Sequence, residues 1–264
     1  MNRIPALMLG VLMTLTSVTA GCLTDKFTEI ISDESHGIPG SLALACLRDD
    51  QHTSLEIQIL YEDGYRPEQS SVQLLEQRLD EVCDKPSGIR FDYTQVEFPS
   101  SINTWTADDV REQGWANKAG HPHSSSTLKW QFLFPSGTYE DDTVLGVAVD
   151  GSTIAMFKDS IEEAEGFFGR PSAEEVENSV MVHEAGHLLG LVNLVYTSPR
   201  DHEDPQHPGH SSNDESVMYW AIESTSLMNF LTGDLPNEFD EDDKADLDDL
   251  KNLKLQASDQ LWTP

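Results

Sequence analysis

Residues His183, Glu184, Ala185, Gly186 and His187 put two imidazoles and a carboxylate within five positions. If the segment is helical, His183 and His187 lie one turn apart on the same face. Two neutral imidazoles so placed can share one tetrahedral metal ion at about 2.0–2.1 Å each. Glu184, next to the first ligand, is placed to take a proton from an activated water rather than to bind the metal itself. The chemistry this residue set points to is Zn²⁺-assisted hydrolysis. The same spacing would also suit two histidines at the edge of an apolar core. Burying both without a metal or other partners would cost on the order of several kcal/mol.

The flanking sequence says what must hold these groups. Ser172 is followed three residues later by Glu175, and Pro171 precedes it, which is a helix-start signal. Val176, Val180, His183, His187 and Leu191 recur at helical spacing. Gly190 falls where a left-handed residue would stop the helix. The motif therefore belongs to an amphipathic helix of about five turns.

A catalytic site of this kind needs a third protein ligand and one open position. His183-Glu184-x-x-His187-x-x-Gly190, followed by Ser216-Val217-Met218-Tyr219, resembles the metal motif and Met-turn of metzincin zinc peptidases. The family places its third ligand three residues after the glycine, where this chain has Asn193. Matrixin-like and archaemetzincin-like members place a histidine eight residues before the Met, and 218 − 8 gives His210. In archaemetzincins that histidine opens the frame H-C-x-x-x-x-C-x-M, and here Ser211 and Ser216 stand where the cysteines would be. The resemblance thus implies His210 as third ligand after an insertion of 17 residues (210 − 193). His202 and His207 stand behind it as alternatives, and Asn193 through its side-chain oxygen is a further one. The resemblance also implies Met218 as a hydrophobic floor under the ligands. It implies Glu184 as the base, and an edge strand above the metal, Val144–Val149 or Ser152–Phe157, that pairs with substrate backbone.

Composition narrows the setting. The 264 residues carry a formal net charge of −31, from 47 acidic against 16 basic side chains. Such charge repels itself in dilute buffer and is tolerable when salt screens it over a few ångströms. It points to adaptation to very high salt, as in haloarchaeal proteins, and makes nucleic acid and anionic membrane surfaces poor partners. At the start, Asn2-Arg3, the apolar run from Ile4 to Val18 and then Thr19-Ala20-Gly21-Cys22 resemble a leader ending in a lipobox. The run is too short for a comfortable spanning helix. The expected organisation is a signal peptide over 1–22 with a lipid on Cys22, a linker over 23–40, and a metallopeptidase-like domain over 41–264. The expected location is the outer face of the cell membrane, held by the lipid anchor or released from it. With Cys22 used, Cys46 and Cys83 remain, either as a disulfide pair that export permits or as two buried thiols.

Periodicity supplies the remaining elements. Strands are expected at Leu55–Tyr61, around Ile89–Tyr93, and at Leu128–Phe134, Val144–Val149 and Ser152–Phe157, the last two joined at Asp150-Gly151. Helices are expected at Val72–Cys83, from Thr106 to about Lys118, and from about Asp240 to Leu253. The fold class is α/β (α+β): a metzincin-like twisted sheet of about five strands with helices, then the zinc helix, then a small irregular C-terminal lobe with the Met-turn. The expected function is zinc-dependent hydrolysis of peptide bonds in a peptide or protein substrate, by a chain expected to be a monomer. An inactive zinc-binding surface lipoprotein and a zinc hydrolase of non-peptide amides are the alternatives.

Overall fold

The computed structural model describes residues 37–118, 126–164, 171–225 and 234–258. The leader with Cys22 and most of the linker lie outside the described residues. Helices are α1 (Ala43–Leu47), α2 (Gln69–Val82), α3 (Ala107–Ala116), α4 (Lys158–Glu163), α5 (Ala173–Leu188) and α6 (Glu241–Lys251). Strands are β1 (Ser54–Tyr61), β2 (Ile89–Gln95), β3 (Thr104–Trp105), β4 (Thr127–Phe134), β5 (Thr138–Tyr139), β6 (Gly146–Ala148) and β7 (Thr153–Met156).

Five strands form one sheet in the order β2-β1-β4-β7-β6. All neighbours are parallel except β6, which runs antiparallel to β7 at the edge. β1 and β4 are central and buried on both faces, so Glu56, Gln58 and Gln131 are buried along with Leu55, Ile57, Ile59, Trp130 and Phe132. One face of the sheet packs on the main core with α2 and α5. The other carries a smaller core of Leu60, Leu133, Ala155, Phe157, Trp105 and Val110. A short parallel pair, β3 with β5, was not legible in the sequence.

Three helices begin with reciprocal capping boxes: Thr106 with Asp109, Ser172 with Glu175 and Asp240 with Asp243. Each box satisfies two orphan amides and sets an acid at the positive end of the helix dipole. Cys46 and Cys83 are joined by a disulfide with a Cα–Cα distance of 5.3 Å, which ties α1 to the end of α2. The expected strand over 144–149 is shorter than its apolar pattern. Val144 and Leu145 instead pair with the segment around Ser224, and the strand proper starts at Gly146.

Candidate metal centre

The helix carrying the motif, α5, is buried along almost its whole length, and His183 and Glu184 are both fully buried. Two backbone carbonyls orient its histidines. His183 Nδ1 lies 2.7 Å from the Val217 oxygen, and His187 Nδ1 lies 2.9 Å from the Leu191 oxygen. A carbonyl only accepts, so each Nδ1 carries a proton, and in the neutral ring Nε2 is left as a bare lone pair. Those two Nε2 atoms are 3.1 Å apart. Two acceptors facing each other at that distance in a buried site need a cation between them. Burial pushes the His187 pKa down to about 3, helped by its neighbours His183 and His210, so the ring is a neutral ligand at ordinary pH.

The chain turns sharply after α5. Gly190 takes φ +88°, and a Cβ there would sit 2.6 Å from Val195 Cγ2. The following loop brings His210 back against both helix histidines, with ring centroids 5.2 Å from His183 and 5.0 Å from His187. Neither buried ring nitrogen of His210 has a hydrogen-bond partner. One donor atom each from His183, His187, His210 and Glu223 lie within 4.8 Å of one another. Three imidazoles, orphaned nitrogens and a carboxylate in that space fit Zn²⁺, which is held by nitrogen and oxygen donors in a tetrahedron.

Of the alternative third ligands, the structure brings none to this point. Asn193 turns away at φ 60°; its amide donates to Glu203 at 2.8 Å and its oxygen accepts from the Ser198 amide at 2.7 Å. It knots the inserted loop. His207 stacks on Trp220 at 4.1 Å between centroids and pairs with Asp204 at 2.7 Å. His202 is buried elsewhere, with Nε2 2.9 Å from Asp246 and Nδ1 3.5 Å from Asp243. His202, Asp240 and Asp243 form a second cluster of potential ligands.

Glu184, the base expected from the sequence, is fully buried. Both carboxylate oxygens are buried without a hydrogen-bond partner. Burial, then the charge of Glu223, raises its pKa well above the usual carboxylate range, with the Ala148 backbone pulling weakly the other way. Gly146 of edge strand β6 makes room for it: a Cβ there would lie 2.9 Å from Glu184 Cγ and 2.8 Å from Val180 Cγ1. Gly186 does the same beneath the histidines, where a Cβ would lie 2.2 Å from Met218 Sδ. Met218 is fully buried there, and its amide is held by Ser216 Oγ at 2.9 Å.

Sequence reasoning missed Glu223, Gly146 and the spacing role of Gly186. No motif marks Glu223; only its place five residues after Met218, in the short 3₁₀ turn Trp220–Glu223, carries it to the site.

No family model and no curated protein sequence matches the chain. Among solved structures, the archaemetzincin of Methanopyrus kandleri is similar at 15% identity with a TM-score of 0.51, over 76% of this chain and 97% of that one. Metalloproteinase-II from Bacteroides fragilis is 16% identical with a TM-score of 0.44, over 78% of this chain and 59% of that one. The chain therefore has an archaemetzincin-like fold, a mixed α/β sheet of five strands with helices.

Proposed function

We propose that this chain is a zinc-dependent peptidase. The observation that carries the reading is the convergence of His183, His187 and His210 beside a buried, unpartnered Glu184 under an edge strand. When bound, Zn²⁺ supplies Lewis acidity: it polarises a carbonyl and makes water a nucleophile near neutral pH. The three histidines would hold it, each through a nitrogen that no protein donor claims. Glu184, with its pKa raised, accepts the proton of the attacking water and returns it to the leaving amine. Strand β6 is the sheet edge next to Glu184, so an extended peptide added along it would present its carbonyls to the centre. Main-chain pairing of that kind favours a peptide or protein substrate.

The net charge of −31 and the lipobox-like Thr19-Ala20-Gly21-Cys22 support a high-salt setting and a lipid anchor at the outer membrane face. In this reading residues 41–264 form the catalytic domain. Metal analysis together with casein cleavage at multimolar salt tests the proposal. One equivalent of zinc and chelator-sensitive cleavage are expected. A protein that takes up no zinc under those conditions would refute the reading, and a zinc-loaded protein that cleaves no polypeptide would refute the peptidase assignment.

A further inference from the structure

Glu223 reaches into the metal centre from the last residue of its 3₁₀ turn. Its Oε1 lies 3.3 Å from His210 Nε2, and its Oε2 lies 3.6 Å from His183 Nε2. Donors about 2.0–2.2 Å from a tetrahedral ion are separated by roughly 3.3–3.6 Å. The carboxylate thus stands at ligand spacing from two of the imidazoles, and its donor atom lies within 4.8 Å of those of all three histidines.

Backbone pairing holds it there. The Glu223 carbonyl accepts from the Leu145 amide at 2.8 Å, Val144 bridges Ser224 in antiparallel fashion, and the Thr225 amide donates to the Thr143 carbonyl at 2.8 Å. The segment 223–225 is therefore stitched to the residues that lead directly into edge strand β6. The backbone of Glu223 cannot be moved far from the centre without opening these contacts.

We infer that Glu223 is a fourth protein ligand of the metal and closes the position that water and substrate would need. The inference rests on the metal-centre reading above. It makes the resting centre self-blocked, and it ties unblocking to the sheet edge. A peptide that pairs along β6 and reaches Leu145 and Val144 competes with segment 223–225 for the same backbone groups. Its binding draws Glu223 off the fourth corner.

Cobalt-substituted full-length protein tests this without any turnover assay. Four protein ligands give a cobalt visible spectrum that azide does not change, because no exchangeable position is open. In Glu223→Gln the fourth corner passes to water, azide shifts the bands, and zinc affinity in chelator competition falls by at least about tenfold. If wild-type protein takes up one equivalent of cobalt and azide shifts its spectrum as it does in the variant, Glu223 is not a ligand and the three-histidine reading stands alone. If wild-type protein takes up no cobalt or zinc, the metal-centre reading itself falls, and this inference with it. The azide titration of wild-type protein needs no variant, so a misfolded Glu223→Gln would not shield the inference from refutation.

Discussion

Among the described residues, two clusters of histidine and carboxylate lie in the C-terminal half of this chain, and they handle the same residue types in opposite ways. In the metal centre, backbone carbonyls take the Nδ1 protons of His183 and His187, and the bare Nε2 atoms converge. In the second cluster the partners of His202 are carboxylates. Asp246 lies 2.9 Å from one ring nitrogen and Asp243 lies 3.5 Å from the other. Burial by itself would push the His202 pKa down, but Asp246, Asp243 and Asp240 outweigh it and the net shift is upward. One site turns its imidazole nitrogens toward one another; the other surrounds imidazole with carboxylates, which favour its protonated form. The difference lies in what faces the nitrogens, and no count of His, Asp and Glu along the chain contains it.

The second cluster is a fastener. Asp246 on α6 accepts from Ser198 at 2.7 Å and Tyr196 at 3.2 Å and pairs with Arg200, so it gathers the inserted loop. Asp243 accepts from Ser216 at 2.6 Å, just before the Met-turn. Together they anchor both ends of the loop that delivers His210.

The sharpest way to break this comparison is a pair of isosteric amide substitutions. Glu184→Gln replaces a buried carboxyl that no side chain holds, so it should leave stability largely intact and cut peptide turnover by at least about a hundredfold. Asp246→Asn should do the reverse. It should cost about 2–3 kcal/mol of stability through lost charge-assisted hydrogen bonds, with turnover per folded molecule little changed. Chemical denaturation and cleavage assays on the same samples decide it, and matching phenotypes in the two variants would erase the distinction.

The histidines give the next largest contrast. His210→Ala should weaken zinc binding by more than about a hundredfold, beyond the usual cost of losing an outer-sphere partner. His202→Ala should lower the melting temperature while the folded protein binds zinc within about tenfold of wild type. Chelator competition that ranks the two the other way would move the third ligand to His202.

The smallest expected effect is in the pH dependence of stability. A histidine whose folded pKa is raised contributes stability that is complete below its unfolded value of about 6.5 and fades as pH climbs through the folded value. Asp243, raised to about 6 by burial and by Asp240, has the same sign but acts lower, between its ordinary range and about 6. Asp246, held below the usual range although burial opposes it, loses its contribution only in acid. Above about pH 6.5 the remaining decline from this cluster therefore belongs to His202. His202→Gln should flatten the stability curve there, by at most about 1.4 kcal/mol per pH unit. An unchanged slope would show that His202 is already neutral in the folded protein.

Much of the architecture was legible because its signals are local. The capping box at Ser172, the helical recurrence through His183 and His187 and the Gly190 stop lie within about 20 residues. The alternation of Leu55, Ile57 and Ile59 and the apolar residues of Leu128–Phe134 announce strands, while the burial of Glu56 and Gln58 on the other face of β1 was not legible. The spacing from His210 to Met218 carried information because Ser211 pairs with Met218, its amide donating to the Met218 carbonyl at 2.8 Å. What escaped is set by tertiary contact. Glu223 enters the centre through an antiparallel bridge to a segment some 80 residues earlier. Val144 and Leu145 spend their backbone groups on that bridge and shorten the expected strand. Gly146 and Gly186 look ordinary until Glu184 and Met218 are seen pressed against them.

The disulfide between Cys46 and Cys83 has a mechanical consequence. A protein hung by a lipid from its N-terminus, as proposed here, receives any tug from its surroundings through the chain that leads into α1. Without the cross-link, that pull would run on past α1 into the chain that leads to β1. With it, tension passes covalently from α1 to α2, a long helix packed along α5. The load is then shared by the body of the fold, and unravelling that starts at the N-terminus stops at Cys46.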